Sequence, residues 1–247
     1  MLIIRKEQTQ AFAAYSESEF RRDMSSHLQD FAPELFAIVG ADGFSKFIDL
    51  GLVKARRYGM TLHGCVRHLL DVMCLLGQDF DRDPQYRRLW PEGDPAAMPM
   101  AFSERLHGNV RAYFDQCIGP DQALLADAIE AMLRAPLVPS GDVDAFVRET
   151  VRAIYPQKYA FIGEENLGDF FARCREVAAS ARLASAEGYT TVVLLALCIG
   201  SEFLENPLYP WVAARLSTDA PEEERLARTQ FALRAYGEAT VKNFRRR

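Results

Sequence analysis

Apolar positions recur at helical spacing through most of the chain. In "SESEFRRDMSSHLQDF" (16–31), Phe20, Met24, Leu28 and Phe31 follow one another at steps of four, four and three, which places them on one face of a helix. Val143, Val147, Val151 and Ile154 repeat that spacing, with Asp142, or alternatively Ser140, as the cap. Pro33 and Pro156 break the chain after these helices and suit the first turn of the next, and Gly40 and Gly163 suit its end. "FSKFIDLGLVKARRYG" (44–59) predicts a helix with Phe44, Phe47, Ile48 and Leu52 inward, and Gly51 within it predicts a close helix contact. "TLHGCVRHLLDVMCLLG" is too long for a strand and carries Leu62, Val66, Leu69, Val72, Met73 and Leu76 at helical spacing. Further helices are expected in "SERLHGNVRAYFDQC", "DQALLADAIEAMLRA" and a terminal segment whose Pro221 and three glutamates open it and whose arginines close it. No segment alternates as a half-buried strand does. The pattern predicts an all-α fold of ten to thirteen helices.

One short stretch, "TVVLLALCIG" (191–200), is apolar without a period and reads equally as a strand. A repeat resolves it. "GQDFDRDPQY" (77–86) lies over "GSEFLENPLY" (200–209), with Gly77, Phe80, Pro84 and Tyr86 falling on Gly200, Phe203, Pro207 and Tyr209 at an offset of 123 residues. The same offset lays "APELFAIVGADGFSKF" over "YPQKYAFIGEENLGDF", "HLLDVMCLLG" over "TVVLLALCIG", and one "RAY" (111–113) over another (234–236). "ERL" recurs at a slightly shorter offset, so a connecting loop differs in length. The expectation is an internal duplication: two tandem copies of a small helical domain, 1–135 and 141–247, joined by the linker "APLVPSG" (135–141) with its two prolines and a glycine. A helix in one copy then implies a helix in the other.

The bulk numbers narrow the classes. A net charge of −5 leaves no electrostatic footprint for nucleic acid, and the one basic run, Arg245 to Arg247, reads as a frayed tail. The opening apolar run is too short for a signal peptide, and the longest apolar stretch is far too short for a membrane span. A soluble, cytoplasmic protein is expected. The five cysteines, Cys65, Cys74, Cys117, Cys174 and Cys198, are odd in number and form no CxxC pair, which fits free, buried thiols.

Searching for chemistry gives little. No P-loop, dinucleotide-binding glycine fingerprint, nucleophile elbow or HExxH is present. His68 and Asp71 are spaced to hydrogen-bond along a helix. Cys65 shares that face, yet no further ligands stand opposite to complete a metal site. Cys65 beside Gly64 is the least implausible nucleophile. The remaining candidate is Asp79, Asp81 and Asp83, since hard cations take carboxylate oxygens; Arg82 within the group lowers its charge, and the glycine and distal glutamate of an EF-hand are missing.

The repeat bears on this group. In the second stretch an acid persists at Glu202, while Leu204 and Asn206 stand where Asp81 and Asp83 stood. Asp or Asn before proline makes a turn or a cap, glycine ends one helix and proline opens the next. Both stretches therefore read as structural helix–turn–helix corners. The extra charges Asp81, Arg82 and Asp83, with Arg87, Arg88 and Trp90 beyond them, are candidates for a partner-facing patch. The loop "WPEGDPAAMPMAF" also offers Met98, Met100 and Phe102. No catalytic residue, metal or cofactor is expected.

"MLIIRKEQTQAF" and "RRYGMT…LLGQDFDRDPQY" resemble small helical proteins encoded beside type VI secretion effectors and their adaptors; the resemblance covers residues 1–90. It implies an accessory role in folding, stabilising or loading an effector. The expected function is a non-enzymatic adaptor or co-chaperone that binds an effector or its chaperone. The alternatives are an immunity protein that neutralises a toxin and a metal-dependent enzyme using Asp79, Asp81 and Asp83. The oligomeric state is not legible.

Overall fold

The computed structural model describes residues 6–245, with side chains from Tyr15 onward. The opening "MLIIR" and the last two arginines therefore lie outside the described residues. Eleven α-helices are present among those residues, and no strand. In order they are α1 (Lys6–Phe31), α2 (Pro33–Arg57), α3 (His63–Leu76), α4 (Pro99–Tyr113), α5 (Ala123–Arg134), α6 (Val143–Ile154), α7 (Pro156–Ile162), α8 (Glu164–Ser180), α9 (Ala186–Ile199), α10 (Pro210–Leu216) and α11 (Glu222–Phe244).

The predicted punctuation acts as expected at most ends. Asp142, not Ser140, caps α6, its carboxylate accepting from the Ala145 amide at 2.8 Å. Pro33 and Pro156 occupy first turns. Gly40, at φ 74°, breaks α2 into a short and a long piece, and Gly163, at φ 77°, separates α7 from α8. One helix is shorter than its sequence suggests. Asp121 and Gln122 are left-handed, so α5 starts only at Ala123, after a π-helical turn over Phe114–Ile118 closes α4.

Helix ends recur at one spacing. α3 and α9 begin 123 residues apart and end 123 residues apart. So do the second piece of α2, from Ala41 to Arg57, and α8. After these, Gly59 and Arg182 are both left-handed, at φ 63° and 54°, and the Met60 and Leu183 amides donate back to Ala55 and Ala178 at 2.9 Å each.

α1 packs on α2, α2 on α3, α3 on α4, α8 on α9, and α10 on α11. α5 lies against both α6 and α11, so the connection 135–142 joins two packed elements. Arg245 pairs with Asp127 and Glu130 of α5, which ties down the first residue of the expected basic tail. A single apolar cluster runs from Phe20 to Leu233, through both ends of the chain. α9 is buried nearly all round, which explains its missing period. Gly51 sits against Leu70 of α3: a Cβ there would lie 2.1 Å from Leu70 Cδ2.

Two cations are buried within this core. The Arg225 guanidinium donates to the carbonyls of Ala181, Arg182, Leu216 and Ala220, serving the ends of α8 and α10. Lys158 Nζ donates to Leu197 O at 2.5 Å near the end of α9 and hydrogen-bonds the Tyr86 hydroxyl at 2.9 Å. Burial lowers its pKa from the ordinary lysine value to about 8. All five cysteines are free, and four are buried.

Candidate functional site

The two corner segments face each other at the middle of the fold. Gly77 ends α3 at φ 111° and Gly200 ends α9 at φ 88°. A Cβ on Gly77 would meet Ile199 O at 3.1 Å, and one on Gly200 would meet Leu76 O at 3.1 Å. The contact is reciprocal, and only glycine gives both the backbone angle and the approach. Phe80 and Phe203 are buried beside it.

The bonds within the corners correspond. The Gln85 amide donates to Asp83 Oδ1 at 3.1 Å, and the Leu208 amide to Asn206 Oδ1 at 3.0 Å. The Tyr86 and Tyr209 amides donate to the Asp83 and Asn206 carbonyls at 2.9 and 3.0 Å. Asp83 does one thing more. Its Oδ2 accepts from the Ser201 amide at 2.8 Å and from Gln85 Nε2 at 2.8 Å, so this carboxylate stitches one corner to the other. It is buried and has no face for a partner.

Asp79 and Asp81 turn to the opposite side. Lys54, from the last turn of α2, donates to Asp79 Oδ1 at 2.6 Å and to Asp81 Oδ1, and the Tyr58 hydroxyl donates to Asp81 Oδ2. The Asp81 side chain is 1 % exposed. Burial first, then the hydrogen bond to Asp81, holds the Tyr58 hydroxyl protonated far above its ordinary range. The three aspartates thus do not converge: two share an ammonium and the third caps backbone. Among the described residues no three His, Cys, Asp or Glu side chains are placed to hold a metal ion.

The other expected patch residues are dispersed. Arg87 bonds Asn166 and Asp169 of α8, at 3.0 and 2.9 Å, and Arg88 pairs with Glu165. Trp90 folds back onto Tyr58, Phe80 and Phe102, with ring centroids 4.8, 5.9 and 5.0 Å away. Of the six patch candidates, only Arg82 is both exposed and without an ion pair among the described residues. The segment read as a loop ends at Met98: Met100 and Phe102 belong to the first turn of α4, where Met100, like Met98, is exposed and Phe102 is buried.

The histidine and cysteine candidates are placed differently from their sequence reading. Asp71 bonds His27 at 2.6 Å, and His68 bonds Ser103 at 2.8 Å. Burial, with His107 nearby, lowers the His68 pKa. Cys65 is buried with its thiol 3.6 Å from Met100 Sδ, so it is not an accessible nucleophile.

Beside the Lys54 group lies a cleft of about 190 Å³ that periodicity alone does not reveal. Leu50 and Val53 make its apolar surface over the buried Met73, and Tyr58, Arg57 and Glu205 stand around it. Leu50 and Val53 are 42 % and 57 % exposed. The one available signal is that both fall outside the inward set of Phe44, Phe47, Ile48 and Leu52.

No protein-family description, curated protein or solved structure matches the chain. Among the described residues no helix is long and apolar enough to cross a membrane.

Proposed function

We propose that the protein is a non-enzymatic accessory factor that binds another protein in the cytoplasm, as an adaptor or co-chaperone for a type VI secretion effector. The cleft beside α2 carries the reading. Sites for small molecules and cofactors usually span roughly 300–1,000 Å³ and enclose most of the ligand. This one is about 190 Å³ and open, with exposed Leu50 and Val53 beside it. A concavity of that size suits one anchoring side chain of a protein partner. The aspartates support the same reading, because each is already engaged as an ion-pair or capping group.

We also propose that the fold is an internal duplication, its copies packed through the facing corners. The support is the common spacing of helix ends, the paired left-handed residues 59 and 182, and the corresponding hydrogen bonds of Asp83 and Asn206.

Affinity purification of the tagged chain from its native host tests the function. The expected result is a secretion effector or its chaperone eluting in near-equal amount. Elution alone, together with a catalytic activity that alanine at positions 79, 81 and 83 abolishes, overturns the reading. Capture of a toxin whose toxicity the chain relieves would instead make it an immunity protein.

A further inference from the structure

The groups that line the cleft carry more negative charge than positive. Lys54 and Arg57 stand against Asp79, Asp81 and Glu205. One ammonium serves two of these acids, because Lys54 donates to both Asp79 and Asp81. Asp79 is still 29 % exposed, and its Oδ2 accepts from no donor among the described residues. Glu205 is exposed and has no ion pair among the described residues. Gln78 also lines the cleft; it is 6 % exposed, and its buried Oε1 has no hydrogen-bond partner. The second half of the chain shows what such a corner takes up. At 123 residues on from Leu50, Val53 and Asp79 stand Arg173, Glu176 and Glu202. The Arg173 guanidinium pairs with Glu202 and, at 2.7 Å, with Glu176. There α8 lays its own guanidinium on the corner acid. In the first half the same helix position is the exposed Leu50, and Asp79 has no guanidinium among the described residues.

Resting on the protein-binding reading above, we propose that the cleft receives an arginine side chain of the partner, its stem on Leu50 and Val53 and its guanidinium paired with Asp79 and Glu205. An enclosed cavity of about 150 Å³ takes one benzene ring, so about 190 Å³ accommodates one large side chain. Arginine joins an apolar stem to a planar head that only donates, which matches an apolar wall beside acceptors without donors. Arg57 opposes an incoming cation, but three lining carboxylates against two lining cations leave the balance in its favour. The stem supplies contact area and the charges supply selectivity.

The minimal probe is N-acetyl-argininamide, blocked at both ends so that its only charge is the guanidinium. Its comparisons are N-acetyl-citrullinamide, of the same shape without the charge, and methylguanidinium, without the stem. Titration into the methyl-labelled full chain, followed by NMR, is expected to shift the Leu50 and Val53 methyls at millimolar concentration. N-acetyl-argininamide should bind about threefold or more tighter than the citrulline compound, as an exposed ion pair allows, and tighter than methylguanidinium. Glu205→Gln should reduce this preference and Arg57→Gln should enlarge it. Leu50→Arg gives the first half the guanidinium that Arg173 supplies in the second, and should fill the cleft and abolish the Val53 shifts. All three positions are exposed, so these variants retain the fold. Absence of shifts at these methyls, equal binding of the arginine and citrulline compounds, a preference that Glu205→Gln leaves unchanged, or weaker binding of the arginine compound to Arg57→Gln overturns the proposal. Host purification separates the two readings: a partner still captured by Leu50→Arg leaves protein binding intact and removes the cleft from it.

Discussion

Asp83→Asn tests whether this aspartate is a structural cap or a site residue. The change keeps the shape and removes one charge and one acceptor. In the wild type, Oδ1 accepts from the Gln85 amide, and Oδ2 accepts from the Ser201 amide and Gln85 Nε2. An asparagine with its oxygen toward Ser201 keeps two of these bonds and sets its own NH2 against the Gln85 amide. The opposite rotamer keeps one bond and sets two donors against the NH2. The first is therefore preferred, and it still leaves two buried donors, the Gln85 N–H and the asparagine NH2, facing each other without an acceptor, at about 1–3 kcal/mol each. The two surviving bonds lose their charge assistance, which adds on the order of 1 kcal/mol. The expected loss is about 3–7 kcal/mol, read as a lowered urea midpoint at unchanged slope. Asp83→Ala loses all three bonds and falls further. Asn206→Asp keeps an acceptor for the Leu208 amide but places a carboxylate without a cation at a buried position, so it too should lose stability. A change below about 0.5 kcal/mol for Asp83→Asn, which is within the range of ordinary surface substitutions, would refute the capping argument and return Asp83 to the list of candidate reactive groups.

Lys54→Val alone leaves the buried Asp81 carboxylate without its ammonium and should cost about 3–5 kcal/mol. Lys54→Val combined with Asp81→Leu should recover much of this, since Val177 and Leu204 stand 123 residues on from these positions; a double-mutant cycle measures the coupling. Gly51→Ala drives a methyl into the buried Leu70 and should cost about 1–3 kcal/mol by thermal unfolding, with part restored by Leu70→Ala. Lys158 has its pKa depressed by burial from 10.5 to about 8, so the unfolded chain binds the extra proton between these values. The stability of the wild type relative to Lys158→Met should therefore rise from pH 8 to 10.5, by a few kcal/mol at most. Comparing the two proteins at each pH cancels the tyrosines and cysteines that titrate in the same range.

Much of the local structure is written in short-range chemistry. The steps of three and four from Phe20 to Leu28 and from Val143 to Ile154 mark helix faces because a turn takes 3.6 residues. Pro33, Gly40, Pro156 and Gly163 mark ends because ring closure and missing side chains act within a residue or two. α9 lacked a period for a physical reason: a helix covered on every side has no polar face, and only the matching stretch identified it. The start of α5 was less legible, since the left-handed backbone at Asp121 and Gln122 leaves no mark in the helical spacing that runs through 121–134.

The sequence by itself determined an all-helical chain, its main breaks and two similar corners. Only the tertiary structure decided what the corner charges do. Asp79, Asp81 and Asp83 are close neighbours along the chain, and adjacency made them look like one cluster. The turn points two of them at Lys54 and sends the third to Ser201, more than a hundred residues away. Lys54 and Tyr58 could not be assigned to this group from spacing, because α2 and the corner meet only once the core has closed. The cleft is hidden for the same reason: Leu50 and Val53 are unremarkable alone and acquire meaning from Met73 and Glu205, which arrive from other elements. Helix formation depends on near neighbours in the chain, whereas a site depends on where distant side chains come to rest.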